Sequence, residues 1–332
     1  MKRHGIIITW CLVLLTLGAC SIIDEGECRS EYILYQYRNN VGQDATDQIY
    51  KMTDFIFSKD SVLYRVDDNI MNGKMRKRPI NLQDGQWIIV TYGNLNGGSR
   101  VSYTLGQTKL SEMSARVVSQ STYQGTYATY SVNNGLRLGN SDKLYLGKAD
   151  VTVKGGYTDK LQTVEMSNVH IRIGFTVIWA DVTKAPTRAE GNNLHARLDY
   201  VPVEHSFIHD EKYDNLYKIP YWTPRITNEV ASLLTPLMGG SETPDRLYFE
   251  VYGLRWETGQ APVLKLYDGE SPLITKDLDL NKYFNDQKID LTNTRVQFFQ
   301  LQIEVRDNVI TISPFGIEPW EDGGAIGGNQ KK

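Results

Sequence analysis

The sequence contains few cysteines, no excess of basic residues and none of the short motifs that mark common catalytic sites. Its 332 residues include three cysteines, which are too few for a scaffold held together by disulfide bonds. Lysine and arginine number 36 against 39 aspartate and glutamate residues, and this net charge of −3 gives no reason to expect binding to nucleic acid. The motifs G-x-S-x-G, G-x-x-x-x-G-K-[ST], G-x-G-x-x-G and H-E-x-x-H do not occur. We therefore predict that the chain is not an enzyme, although a triad assembled from distant residues would escape such a search.

Residues that suit metal or ligand binding are scattered along the chain. His205 and His209 are four positions apart, but we expect their segment to be strand or loop, and no cysteine is near, so no metal site is predicted. Asp142 lacks the neighbouring oxygen donors of a calcium loop. We also predict no cofactor. The aromatic residues that would stack on sugars if they were exposed are Trp179, Tyr221, Trp222, Trp256 and Trp320, although a place in the core is the simpler expectation.

The N-terminus predicts a bacterial lipoprotein signal peptide. Residues 6–17 are almost all apolar, but the run is shorter than the roughly 20 residues that a membrane span needs. Small residues then precede a cysteine in Leu17-Gly18-Ala19-Cys20, the pattern of a lipobox. We predict cleavage between Ala19 and Cys20 and acylation of Cys20, for instance with palmitate. Two or three acyl chains, at about 0.8 kcal/mol per buried CH₂, would hold the protein on a bilayer. The alternative is an ordinary secretory signal with an accidental cysteine.

The rest of the chain predicts an all-β protein. Segments rich in β-branched and aromatic residues recur with turn residues between them, a spacing that indicates β-sandwiches. The clearest are residues 31–37, 86–92, 169–177, 246–256 and 296–305. In residues 169–177 apolar side chains alternate with His170, Arg172, Gly174 and Thr176, so we expect one buried face and one outward face. Short helices are expected at residues 44–51, 111–119 and 228–238.

A break in the longest β-rich run suggests two domains. Ser167-Asn168 interrupts residues 162–179, and we place the boundary there. The predicted parts are a signal peptide at 1–19, a lipidated acidic tether at 20–27, an N-terminal β-sandwich domain at 28–166, a C-terminal β-sandwich domain at 167–320 and a flexible tail at 321–332.

The order of several segments resembles the FimB-like family of fimbrial anchor lipoproteins, which lie at the base of type V fimbriae. The lipobox and acidic tether are followed by Cys28, by Tyr-Ile-Leu-Tyr-Gln-Tyr at residues 32–37 and by residues 54–63. Residues 82–87, 142–147, 169–173 and 303–312, ending in Pro319-Trp320, agree with the same family. None of these segments is specific alone, and the resemblance depends on their order together with the lipobox.

The resemblance implies two transthyretin-like, Greek-key β-sandwich domains without catalytic residues. It also implies an outer-membrane lipoprotein, exposed on the cell surface as part of the fimbrium, that terminates and attaches the fimbrial polymer in cell adhesion. Its partners would be the outer membrane, through the lipid on Cys20, and a fimbrillin stalk subunit. Arg38, Arg65, Arg76 and Arg78 are protease targets by residue type only, and an anchor should escape a cut that frees it from its lipid. The alternative function is a surface lipoprotein that binds glycan or host protein.

We expect the stalk subunit to bind by strand addition in the C-terminal region, residues 296–312. Leu301 and Ile303 lie on one face of a period-2 stretch, and Val309 and Ile312 follow on the next strand. These four residues are the predicted partner-binding residues. The alternative is that both strands belong only to the protein's own sheet.

Overall fold

The computed structural model describes residues 32–39, 41–70, 77–118, 141–154, 161–181, 194–202, 204–208, 221–222, 246–257, 262–268, 271–272, 277–294, 296–306 and 309–314. The strands in these residues are β1 Tyr32–Tyr37, β2 Lys51–Ser58, β3 Leu63–Ile70, β4 Lys77–Pro79, β5 Gly85–Gly93, β6 Ser99–Val101, β7 Ser114–Val117, β8 Tyr145–Val153, β9 Leu161–Asn168, β10 His170–Trp179, β11 Leu194–Asp199, β12 Glu204–Ser206, β13 Tyr221–Trp222, β14 Arg246–Leu254, β15 Val263–Asp268, β16 Ser271–Pro272, β17 Leu278–Asp279, β18 Gln297–Arg306 and β19 Val309–Pro314. The all-β prediction is confirmed.

Helical structure is sparse in the described part of the chain. One α-helix, α1, spans Leu280–Asp286, and its N-cap Asp279 accepts a hydrogen bond from the backbone N–H of Lys282 at 3.0 Å. Single 3₁₀ turns occur at Thr46–Gln48 and Leu110–Glu112. The helix predicted at residues 111–119 is therefore wrong beyond its first turn, because β7 occupies Ser114–Val117. The one predicted at residues 228–238 lies outside the described residues. No helix within the described ranges has the length and apolar character needed to cross a membrane.

The largest sheet has seven strands in the order β3-β2-β5-β8-β9-β1-β4. Its pairs are antiparallel except for β1 and β9, which run parallel from Tyr32–Leu161 to Tyr37–Met166. β1 brings Ile33, Tyr35 and Tyr37 to one face, where they are at most 3% exposed. The first described strand of the chain is thus an inner strand of this sheet.

Three further sheets complete the described structure. Four strands follow the order β14-β10-β18-β19, in which β10 and β18 are parallel. A second of these sheets has the strand order β13-β11-β15-β16, and β17 also pairs with β15. The third of them is small and has the order β12-β7-β6. In it residues 204–206 pair with residues 114–116 across the predicted domain boundary.

The boundary region differs in detail from the sequence expectation. β9 continues through Ser167 and Asn168, which pair with β8, and β10 begins at His170 in a different sheet. The break between the two strands therefore falls at Val169. One hydrophobic core includes Phe55 and Tyr92 from the first half together with Phe175 and Leu301 from the second. The division into two domains stays a prediction.

β10 is buried on both faces. Val169, Ile171, Ile173, Phe175 and Val177 are at most 4% exposed, as the alternation predicts. The outward face predicted from the same alternation is wrong at three of its four residues, since His170 and Thr176 are 6% and 1% exposed and Gly174 is buried against the side chain of Gln300. The fourth residue, Arg172, is half-buried. The alternation cannot show this, because the covering groups come from elements distant in sequence.

Candidate functional site

The four predicted partner-binding residues lie on the last two strands of the four-stranded sheet. β18 pairs with β10 on one side and with β19 on the other, so both edges of its backbone are occupied. Leu301 and Ile303 are 1% and 0% exposed and belong to the shared core. The structure places these two side chains inside the protein's own fold, on the strand that pairs with β19.

β19 is the edge strand of this sheet. It pairs with β18 from Val309–Arg306 to Pro314–Leu301, and the described residues contribute no strand on its other side. Val309 is 60% exposed, while Ile312 is half-buried opposite Ile303. An edge strand presents backbone N–H and C=O groups to which a strand from another chain can add. The edge of β19 can therefore bind another chain through backbone hydrogen bonds.

The residues predicted for lipidation and cleavage lie outside the described residues. Ala19 and Cys20 therefore stay predictions, as do Cys28, Arg76, His209 and Trp320. β1 begins at Tyr32, which is 32 − 20 = 12 residues after Cys20. The first described structure after the predicted lipid is thus an inner strand of the seven-stranded sheet.

β1 takes part in a buried polar cluster centred on Asp54. The Tyr35 hydroxyl donates to Oδ2 of Asp54 at 2.6 Å, and Nε of Arg78 donates to the Tyr35 oxygen at 2.8 Å. Nη2 of Arg78 forms an ion pair with the Asp54 carboxylate, and the Thr91 hydroxyl donates to its other oxygen. The Asp54 side chain is 0% exposed, so these contacts replace the water that a carboxylate otherwise needs.

Burial and the opposite charges set the protonation of this cluster. Burial raises the pKa of the Asp54 carboxyl, and the Arg78 cation opposes that shift. Burial, followed by the negative charge of Asp54, raises the pKa of the Tyr35 hydroxyl well above its ordinary value. For Arg78 burial alone would lower the pKa, but Asp54 and Tyr35 raise it above its usual range. Tyr35 therefore stays a hydrogen-bond donor and Arg78 stays a cation.

Two of the arginines named as protease targets are held in strands. Nη2 of Arg65 donates to the carbonyl oxygen of Ile80 at 2.8 Å and lies 2.9 Å from Asp67. The side chains of Arg65 and Arg78 are 33% and 14% exposed. Proteases prefer exposed loop tips, so both positions are poor targets in the folded chain. Arg38 follows β1, and its Nη1 lies 3.4 Å from the carbonyl oxygen of Gly42.

The aromatic and histidine candidates do not form a ligand site in the described structure. Trp179 and Trp256 are 7% and 1% exposed and lie in the core, so they cannot stack on a sugar. Tyr221 and Trp222 form β13. His205 is buried, with Nδ1 3.1 Å from the Tyr92 hydroxyl. The described ranges contain no group of three or more histidine, cysteine, aspartate or glutamate residues able to hold a metal.

Sequence reasoning missed two arrangements that the structure shows. The carboxylate of Asp142 accepts hydrogen bonds from the backbone N–H groups of residues 96, 97, 98 and 99, at 2.8 to 3.3 Å. Its partners are backbone groups, which no search for neighbouring carboxylates finds. The only sequence signal is the loop Asn96-Gly97-Gly98-Ser99, whose small residues allow close approach. The Asp54 cluster has no local signal at all, because Tyr35 and Arg78 are 19 and 24 positions away.

Solved structures of other proteins share this fold. The fimbrial anchor protein Mfa2 from Porphyromonas gingivalis superposes with a TM-score of 0.56 at 14% identity, covering 86% of this chain and 96% of that one. A Bacteroides thetaiotaomicron protein provisionally described as an adhesin gives 0.57 at 14% identity, with 85% and 95% covered. Another from that organism, provisionally described as polysaccharide-binding, gives 0.58 at 12% identity, with 88% and 99% covered. Such identities show the fold alone. Curated protein sequences give no significant match.

The sheets define an all-β protein whose fold is β-sandwich-like. A family model described as fimbrillin-A associated anchor proteins Mfa1 and Mfa2 matches residues 25–320. The chain belongs to this family, and the resemblance to fimbrial anchors is confirmed. It is therefore a fimbrial anchor or accessory subunit, associated with fimbrial subunits at the cell surface. The family is one of structural, adhesin-like proteins and not a known enzyme family.

Proposed function

We propose that this chain is an outer-membrane lipoprotein that terminates a fimbrial polymer and attaches it to the cell through acyl chains on Cys20. The observation that carries the proposal is the membership of residues 25–320 in an anchor family, directly after a lipobox that ends at Cys20. An anchor needs one contact with the membrane and one with the polymer. Acyl chains supply the first without any membrane-spanning segment.

Metabolic labelling with an acyl chain tests the membrane contact. Wild type should be labelled and should fractionate with outer membranes, whereas Cys20→Ala should stay unprocessed and unlabelled. Cys28→Ala is the matched control, because this cysteine lies eight residues further on (28 − 20 = 8) and outside the lipobox. Labelling that persists in Cys20→Ala would contradict the proposal. Deletion of the whole protein should release fimbriae from the cell, and fimbriae that stay firmly attached would exclude the anchor role.

The polymer contact is proposed to be strand addition at the free edge of β19. The support is that β18 has both edges paired, whereas β19 is paired on one side only among the described residues. Val309 and Thr311 are exposed on this strand, so side chains placed at these positions are within reach of a neighbouring chain. Main-chain hydrogen bonds would provide affinity, and the alternating side chains would set the register. Leu301 and Ile303 take the supporting role of packing β18, the strand beside β19, into the core.

Disulfide cross-linking in intact fimbriae tests this edge. Val309→Cys or Thr311→Cys should cross-link to a cysteine placed in the donor strand of the stalk subunit. Ile70→Cys is the control. Ile70 is 79% exposed at the end of β3 in the seven-stranded sheet, which does not contain β19, and should not cross-link. If correctly anchored protein never cross-links through residues 309–312, this edge is not the joint. Substitution of Leu301 or Ile303 by a charged residue would be uninformative, because it would disrupt the core in either case.

A further inference from the structure

The seven-stranded sheet is closed on itself by side chains. Its order places β5, β8 and β9 between β2 and β1, and yet Tyr35 of β1 bonds directly to Asp54 of β2. Arg78 of the edge strand β4 also approaches Asp67 of the opposite edge strand β3, at 3.5 Å. The sheet therefore curls until its two edges face each other.

Side chains from both edge strands, β3 and β4, make hydrogen bonds across the gap between the two edges of the sheet. From β3, Arg65 donates to the carbonyl oxygens of Ile80 and Asn81, directly after β4, at 2.8 and 3.3 Å. From β4, Nη1 of Arg78 lies 3.4 Å from Oδ1 of Asn69. Asp54 is the most buried member and receives both Tyr35 and Arg78. β1 is consequently tied to two neighbours through its backbone and to a distant strand through Asp54.

We propose that Tyr35, Asp54 and Arg78 form a latch that keeps β1 in the sheet when the N-terminus is pulled. This inference rests on the proposed function, because tension between a fimbria and a lipid on Cys20 would enter the described body through β1, 12 residues beyond that cysteine (32 − 20 = 12). Extraction of β1 would break its pairing with β9 and β4 and expose Ile33, Tyr35 and Tyr37. It would also remove a donor from a fully buried carboxylate, which is strongly unfavourable.

A polar latch differs from apolar packing in its dependence on distance. Dispersion and hydrophobic contacts weaken gradually as a strand slides. A slide by one full repeat of the strand returns the same set of side chains to the buried face and can restore these contacts. The hydrogen bond from Tyr35 to Asp54 has one geometry, and a small displacement of β1 breaks it. The latch therefore resists the first step of extraction and fixes the register of β1.

The test uses the chain from residue 20 without lipid, with Cys28→Ser, so that the Cys20 thiol is the sole pulling handle at the N-terminus. The other handle is a C-terminal tag. Under constant force, Tyr35→Phe should shorten the lifetime of β1 in the sheet by about tenfold or more, the effect of losing one hydrogen bond to a charged group. Amide hydrogens of β1 should exchange faster by a similar factor without force.

Ile173→Val is the matched control. It removes a buried methylene group from β10 and lowers overall stability without touching the latch. If the latch exists, Tyr35→Phe should speed up amide exchange in β1 more than in β10, each relative to wild type. Ile173→Val should show no such difference between the two strands. Equal lifetimes in wild type and Tyr35→Phe, or β1 exchange only through global unfolding in every variant, would overturn it. Arg78→Gln should act like Tyr35→Phe, and if it fails to fold, the isosteric Tyr35→Phe still decides.

The outcome is independent of the proposed function. Neither lipid nor fimbria is present in the measurement, so a negative result removes the latch and leaves the anchor role intact. Conversely, acyl labelling that persists in Cys20→Ala would remove the lipid anchor, while the lifetimes of β1 would still report on Tyr35 and Asp54.

Discussion

Nδ1 of His170 lies 2.8 Å from the carbonyl oxygen of Leu144 and joins the first residue of β10 to the residue before β8. The same carbonyl accepts a hydrogen bond from the N–H of Val169 at 3.0 Å. His170 is 6% exposed, and its contact therefore links two sheets inside the protein. Burial, with smaller contributions from Lys143, Arg172 and Arg255, lowers the pKa of His170 to about 4.

This shift predicts a loss of stability in mild acid. The folded state holds His170 neutral down to about pH 4, whereas the unfolded chain binds a proton near pH 6.5. The unfolded state therefore binds more protons between these values, and the free energy of unfolding should fall as the pH drops from about 6.5 to about 4. The expected loss from this residue is about 3 kcal/mol.

Denaturation at several pH values measures this loss. His170→Gln removes the titrating group. The difference in free energy of unfolding between wild type and variant should therefore be constant above pH 6.5 and change steadily below it. Carboxylates titrate in the same range, but they contribute equally to both proteins. Parallel curves for the two proteins across this range would contradict the assignment to His170.

Gly147 allows β8 and β9 to approach closely. A Cβ atom at this position would lie 2.5 Å from Cγ1 of Val164, 2.6 Å from Sδ of Met166 and 2.9 Å from the backbone oxygen of Glu165. Gly147→Ala should lower the free energy of unfolding by about 1–3 kcal/mol, because the backbone of β9 would have to shift. Gly97→Ala is the control, since nothing lies within 4 Å of its added Cβ. Equal melting temperatures for the two variants would show that the backbone of β9 can shift without a measurable loss of stability.

The strands were the most predictable part of the fold. The predicted strands at residues 31–37 and 86–92 correspond to β1 at Tyr32–Tyr37 and β5 at Gly85–Gly93. β-branched and aromatic residues with period 2 report local conformation, which needs no information about partners. The parallel pairings of β1 with β9 and of β10 with β18 were not predictable in this way, because they join segments more than a hundred positions apart.

Burial of polar residues was the least predictable part. His170 and Asp54 look like surface residues in the sequence, and both are buried by groups that arrive from other strands. Helix α1 was missed because its seven residues are too few to show a helical period, although Asp279 was a usable N-cap signal. The alternation at the C-terminus marked Leu301 and Ile303 as one face, but it could not distinguish a face that packs inward from one that meets a partner.

Asp142 is predicted to fix the loop at residues 96–99. Its carboxylate is the acceptor for four backbone N–H groups, at 2.8 to 3.3 Å. Asp142→Ala should lower the free energy of unfolding by about 1–2 kcal/mol, since water can replace only part of these hydrogen bonds. Asp142→Asn should have a smaller effect because one oxygen remains. Asp150→Ala, an exposed position on β8, should change stability by less than about 0.5 kcal/mol. Thermal melting compares the three variants, and equal effects of Asp142→Ala and Asp150→Ala would contradict this role.

The proposed domain boundary makes the last prediction. Fragments 24–166 and 167–332 should each show β-type circular dichroism and cooperative melting if they are separate domains. The shared core, which contains Phe55 and Tyr92 beside Phe175 and Leu301, should make both fragments melt at lower temperature than the whole chain.

Moving the cut provides a matched comparison for the same prediction. A cut after Asn168 keeps the pairs Tyr145–Asn168 and Leu146–Ser167 within one fragment, whereas a cut after Met166 removes them. Fragment 24–168 should therefore be more stable than fragment 24–166. Mixing the complementary fragments should restore part of the lost stability, because the pairing of β12 with β7 and the common core can form again. If neither fragment of either pair folds alone while the whole chain does, either the two-domain division is wrong or the interface between the two domains is obligatory for folding.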